Sequence, residues 1–173
     1  MDKIVFKQDG NERPTNNRIQ AILFIVNRSW VLRKLDIFRR LFCKFYNIPL
    51  TTSFNKDFYC TAPNLFLGEH VGLADTCILA YAPVTIGNNC SFSYRNMIVT
   101  STHDLEDFST VVAQPVTIGN NVWVTTNVTI LPGVRIGDNS VIGAGSVVTK
   151  NIPSGVFAAG NPCKVIREIV FNK

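Results

Sequence analysis

From Ile118 to Ile152 the chain repeats every six residues. Ile118, Val124, Ile130, Ile136, Ile142 and Val148 are aliphatic at each sixth place, and Val122, Val128, Val134, Ser140, Ser146 and Ile152 follow four places after each. An amphipathic helix needs a period near 3.6 and a half-buried strand a period of about 2. A strict six fits neither as a lone element. It fits a solenoid of short strands that turn at corners, with the aliphatics pointing inward. Gly87-Asn88-Asn89, Gly119-Asn120-Asn121 and Gly137-Asp138-Asn139 supply the corner chemistry, being residues that tolerate positive φ. A sandwich with a chance repeat does not account for six consecutive matches.

The rest of the chain divides around this stretch. Residues 1–17 read as loop, with Pro14 and Asn16-Asn17 as breakers. From Arg18 to Tyr46, Ile22, Leu23, Val26, Trp30, Leu35, Phe38, Leu41, Phe42 and Phe45 recur at threes and fours, among Arg28, Arg33, Lys34, Arg39, Arg40, Lys44 and the single acid Asp36. This predicts two helices or one bent helix. The sixes run earlier through Leu67, Leu73 and Leu79, slip by one to Ile86 near Tyr81-Ala82-Pro83, and resume at Phe92 and Ile98. They break over 101–113, which reads as an external loop. The expected units are a helical amino-terminal segment (1–57), the solenoid (58–154) and a closing segment (155–173) in which Val165 to Phe171 forms a strand or helix.

Five cysteines without framework spacing point to a reducing compartment. Cys77 and Cys90 fall four places after Leu73 and Ile86 and read as buried solenoid positions. Met1-Asp2-Lys3 leads into polar residues and predicts no secretory leader. The formal charge of +5 suits anionic partners, and no nucleic-acid module is recognisable.

Several motifs carry a resemblance: Val116-Thr-Ile-Gly-Asn-Asn-Val-Trp123, Ile130-Leu-Pro-Gly133, Ile142-Gly-Ala-Gly-Ser-Val-Val-Thr-Lys150, Ala159-Gly-Asn-Pro162 and Val165-Ile-Arg167. From about Phe58 to Arg167 the chain resembles the hexapeptide-repeat acetyltransferases, most of all the maltose/galactoside O-acetyltransferase group. The resemblance implies a left-handed parallel β-helix with an N-terminal helical segment and a short C-terminal closing element. It also implies a homotrimer, with acetyl-CoA as co-substrate in grooves between neighbouring subunits and no metal requirement.

The chain has only two histidines. His70 falls at a corner and reads as inert. His103 opens the 101–113 excursion, and the resemblance makes it the general base that deprotonates an acceptor as it attacks the thioester carbonyl. Imidazole changes charge near neutral pH and suits the task. Asp75 falls, across a one-residue deletion, where sugar acetyltransferases carry an acceptor-contacting asparagine. By position, Trp123 would wall the pantetheine arm, Thr126 and Ala144 would line it through backbone groups, and Thr149, Lys150, Lys164 and Arg167 would meet the nucleotide phosphates. Lysine at 164, where arginine is common, keeps the charge but loses the bidentate fork. Asp104, Glu106 and Asp107 read as a solvated loop face.

The function so implied is acetyl transfer to a hydroxyl or amine of a sugar or saccharide. A nucleotide-sugar N-acetyltransferase and a non-catalytic binding solenoid stay open as alternatives. A γ-type carbonic anhydrase needs three zinc histidines, which two cannot supply. The basic helical segment has two readings: it packs on the first coil and covers exposed strand edges, or it lies on an anionic membrane surface. The expected location is the cytoplasm, with peripheral contact at the inner face of the membrane under the second reading.

Overall fold

In the computed structural model, residues 3–8, 10, 12–29 and 31–170 are described; Trp30 and Phe171 lie outside them. The repeat folds into a three-sided stack of parallel coils. The first face carries Ser53–Phe54, Gly72–Ala74, Ser91–Phe92, Trp123–Val124, Val141–Ile142 and Val156–Ala159. The second carries Tyr59–Cys60, Cys77–Leu79, Met97–Val99, Thr129–Ile130 and Val147–Val148, and the third Leu65–Leu67, Val84–Ile86, Val116–Ile118 and Arg135–Ile136. Within each face the inward residues align in columns. On the second face Ile78, Ile98, Ile130 and Val148 stack, each with 0–1% of its surface exposed. Burying one such side chain contributes about 1.5–3 kcal/mol, so the columns form the continuous core.

The corner chemistry divides between two residue types. Asn89, Asn121 and Asn139 take φ near +56°. The preceding glycines do not take positive φ; they are there for close approach. A Cβ on Gly119 would stand 2.8 Å from the Asp138 backbone nitrogen. That approach lets Asp138 Oδ1 accept from the Asn120 N–H at 2.6 Å, as Asn120 Oδ1 accepts from the Asn88 N–H at 2.9 Å. A ladder of side-chain amides and carboxylate thus runs down one edge.

The early sixes depart from the expected register. The inward residue of the second coil's second strand is Ile78, fully buried, and Leu79 faces outward. The corner after Leu73 is one residue shorter than the one after Phe92, and the longer Ala80–Pro83 corner restores phase. Cys77 is therefore half-buried on the outside, while Cys90 is buried as expected. All five cysteines are free, and burial pushes the Cys60 thiol up to about 12.

The helical segment forms two helices, α1 (Arg18–Arg28) and α2 (Asp36–Tyr46). Asn17 and Gln20 make a capping box that starts α1, and Asn47 at φ +52° ends α2. Phe24, Phe42 and Tyr46 pack on the first coil, with Phe42 and Phe54 ring centroids 4.5 Å apart. The helices thus cap the open end. At the other end Lys164–Glu168 runs antiparallel to Val156–Ala159.

Two segments expected to be loops are strands. Ile4–Lys7 pairs antiparallel with Thr110–Ala113, which pairs in turn with Ser101–His103. The excursion is a β-hairpin extended by the chain's beginning. Each strand is three or four residues long, too short to show a period, and the three are stable only as a sheet, in which the central Thr110–Ala113 pairs with both of the others. Gly119→Ala should destabilise the protein by about 1–3 kcal/mol, the range for overpacking. Urea unfolding would show a lower midpoint with an unchanged slope; a wild-type midpoint would remove the close-approach explanation.

Candidate active site

His103 ends the first strand of the hairpin, where the chain leaves the edge between the second and third faces. Its Nδ1 lies 2.7 Å from the Phe108 carbonyl oxygen. A carbonyl only accepts, so Nδ1 carries the proton, and in the neutral form of the ring Nε2 is the bare nitrogen. That tautomer is the one a base acting through Nε2 requires.

The backbone turn that supplies Phe108 is braced. Asp104 Oδ1 accepts from the Glu106 N–H at 2.8 Å and from the Asp107 N–H at 3.3 Å. Asp107 accepts from Lys7 Nζ at 2.7 Å, from Ser109 Oγ at 2.6 Å and from Thr110 Oγ1 at 2.5 Å. These donors, Lys7 foremost, hold its carboxyl well below the usual carboxylate range. Asp104 and Asp107 are thus braces of the hairpin and not a merely solvated face. The first strand fastens the excursion through Lys7, a role invisible in the sequence because the partners lie a hundred residues apart.

His103 lines a cleft of about 220 Å³ with Phe6, Arg13, Tyr81, Thr102 and Val111. Tyr81 also walls a second cleft of about 490 Å³, lined by Phe24, Arg28, Tyr59 and Thr61. Arg13, Tyr81 and Arg28 escaped the sequence reading, for no periodicity links a loop arginine, a corner tyrosine and a helix end.

Of the other predicted residues, Asp75, Thr126, Ala144, Thr149 and Lys150 border the second face, while Trp123, Lys164 and Arg167 lie on the first-face sheet. Thr126 and Ala144 sit at stacked, exposed corners on the edge between first and second faces, where Gly145 N–H donates to the Thr126 carbonyl at 3.0 Å. The N–H groups of Thr126 and Ala144 make no hydrogen bond among the described residues, so they can receive the carbonyls of a pantetheine arm. Asp75 lies on the same edge, and its Oδ1 accepts from the Arg95 N–H at 2.7 Å. Trp123 projects from the first face, 49% exposed, its Nε1 3.4 Å from Ser93 Oγ. Thr149 and Lys150 are exposed at the opposite edge of the second face, the one from which the hairpin leaves. Lys164 follows Cys163, whose N–H donates to the Val147 carbonyl at 2.8 Å. Arg167 lies over the Phe157 ring, its guanidinium carbon 5.9 Å from the centroid. One protomer therefore collects Asp75, Thr126 and Ala144 on one edge and His103, Thr149 and Lys150 on the other. His70 is an exposed corner residue at φ +59°. Among the described residues no group of three metal-ligating side chains occurs.

Residues 115–150 match the family described as bacterial transferase hexapeptide (six repeats). Galactoside O-acetyltransferase of Escherichia coli K12 is 54% identical over 91 residues, which are 50% of this chain and 44% of that protein. The crystal structure of a maltose O-acetyltransferase from Clostridium difficile 630 superposes with a TM-score of 0.77 at 30% identity, covering 88% of this chain and 86% of that one. A galactoside acetyltransferase in complex with coenzyme A gives 0.79 at 30% identity, covering 96% and 86%. The chain spans 44% to 63% of the length of the curated relatives it matches.

Because the Asp107 carboxyl is depressed, its hold on the hairpin is present above the ordinary aspartate range (~3.9) and is lost as pH falls through and below it. The protection factors of the Ser109–Val111 amides, referred to the unfolded-chain rate at the same pH, should therefore fall below about pH 4, and Lys7→Ala should bring the same fall at neutral pH. Equal protection in wild type and variant would show that the clamp does not order the turn. The left-handed β-helix stack, the hexapeptide match and these superpositions together establish that the chain belongs to the hexapeptide-repeat acetyltransferase family, among the relatives of the maltose and galactoside O-acetyltransferases.

Proposed function

We propose that the chain transfers an acetyl group from acetyl-CoA to a hydroxyl, or an amine, of a sugar or saccharide. The observation that carries this reading is His103, locked by the Phe108 carbonyl with Nε2 bare at the head of a cleft. Nε2 takes the proton from the acceptor as its oxygen or nitrogen attacks the thioester carbonyl carbon. The tetrahedral oxyanion forms beside backbone N–H donors, of which Thr126 offers one; such a donor is worth ~3–4 kcal/mol in acyl transfer. The carbon–sulfur bond then breaks, and the imidazolium returns its proton to the departing thiolate. No enzyme acyl intermediate is required.

The two edges of the second face explain why a neighbour is needed. Trp123, Thr126 and Ala144 of one chain and His103 of another would form the walls of one groove, which is the homotrimer reading. Leu105 and Phe108, at 86% and 70% exposure on the hairpin tip, would cover the pantetheine arm there. Lys150, Lys164 and Arg167 supply the cations, and Thr149 a hydroxyl, for the nucleotide phosphates. The paired clefts that meet at Tyr81 give the acceptor room, with tyrosine rings to stack on sugar faces. Asp75 reaches an acceptor only from a neighbouring chain. The alternatives, a nucleotide-sugar N-acetyltransferase and a binding solenoid, differ in acceptor and in the need for His103.

His103→Ala should lower kcat by roughly 10²–10⁴-fold, read as acetyl gain on acceptor sugars by mass spectrometry. A loss of less than about threefold, with circular dichroism unchanged, would remove the base. Separately, CoA at a hundredfold excess over its Kd should stabilise the protein by ~2.7 kcal/mol, and light scattering should give a trimer. Absence of a thermal shift at millimolar CoA would favour the binding solenoid, and a monomer would dismantle the shared groove.

A further inference from the structure

The basic character of the chain is confined to its helical cap. Between Arg18 and Lys44 lie seven of the seventeen lysines and arginines and one of the twelve acids. The remainder holds ten cations and eleven acids, so the whole excess of +5 resides on the cap. The single acid, Asp36, is paired with Arg40 at 2.6 Å.

The cap also exposes apolar side chains. α2 turns Phe38, Phe42 and Tyr46 onto the first coil, and at i, i+4, i+8 on the adjacent flank it presents Ile37, Leu41 and Phe45. With Val31, Leu32 and Leu35 of the preceding turn, these residues are 38–67% exposed. Arg40 and Lys44 flank the stripe. Beside it opens a cavity of about 170 Å³ lined by Asn27, Arg33, Lys34, Arg39 and Thr52, with no carboxylate among its described walls. Arg39, on its wall, also donates to the Leu50 carbonyl and, at 3.4 Å, to the Thr52 carbonyl.

The geometry points to this cap as a docking surface for an anionic lipid membrane. Apolar residues at spacings that suit shallow insertion stand among cations that suit headgroup phosphates. The charge argues against a second copy of the same face, because two such surfaces repel. The interleaved isoleucine, leucine and phenylalanine argue against a purely electrostatic partner. Docking is peripheral, since no helix among the described residues is long and apolar enough to cross a membrane. The cavity beside the stripe receives one lipid phosphate, with Arg33 and Arg39 as donors. The inference stands apart from acetyl transfer and survives if His103 proves idle.

Sedimentation of the full chain with vesicles tests it. Phosphatidylcholine vesicles carrying about one third phosphatidylglycerol should bind at least tenfold better than phosphatidylcholine alone, and salt well above physiological strength should abolish the difference. The double variant Ile37→Ser/Leu41→Ser and the double variant Arg33→Glu/Lys34→Glu should each weaken binding about tenfold, with helicity by circular dichroism unchanged. Arg135→Glu on the third face should leave it unchanged. Equal partition into both vesicle types overturns the inference. So does wild-type binding by both double variants, or a fall in oligomer size in those variants without any vesicle binding, which would make the face a contact between copies.

Discussion

Every placement in this protein depends on the register of the parallel ladder. Successive coils share backbone hydrogen bonds from Leu67 through Ile86, Ile118 and Ile136 to Ile152. Because the repeat is six and the faces are three, each aliphatic column stays vertical and each corner lands above the last. The spacing leaves no room for a Cβ at the glycine of the corner and selects asparagine for the residue two places on. Thr126 and Ala144 are brought together by this stacking alone.

A rigid stack has two weaknesses, and the chain answers each with a segment outside the repeat. The first coil would expose core and strand edges; α1 and α2 cover it with an aromatic cluster around Phe42. The excursion would be mobile if it stood alone; Ile4–Lys7 adds a third strand and Lys7 fastens its turn. The imidazole orientation therefore depends on a residue near the start of the chain. Surface pairs of this kind contribute little to global stability, and here the effect is geometric: the turn is fixed, so the Phe108 carbonyl is fixed, so the tautomer is fixed.

The candidate site was legible wherever it coincides with the repeat or with a motif. His103 stands out because it opens the 101–113 break in the sixes at the place where the resemblance to the acetyltransferases puts a general base. Trp123 stands out because it lies between two inward valines. Arg13, Tyr81 and the bracing by Asp107 were not legible, since each depends on a contact across tens of residues. The cap shows the same division: its helical period and its charge are plain in sequence, but only the packing of Phe38, Phe42 and Tyr46 reveals that Ile37 and Leu41 face outward.

The sequence by itself determined the solenoid, the number of residues per side and the corners, because a period of six is a local property that each coil satisfies with its neighbour. Tertiary structure alone decided the phase near Leu73, where one short corner moves the inward position to Ile78. It alone made strands of Ile4–Lys7 and the excursion, whose hydrogen bonds come from partners far along the chain. It also put Thr126 and Ala144 on one edge of the second face and His103, Thr149 and Lys150 on the other, because an edge is defined only when coils stack and the distance between residues ceases to follow their numbers.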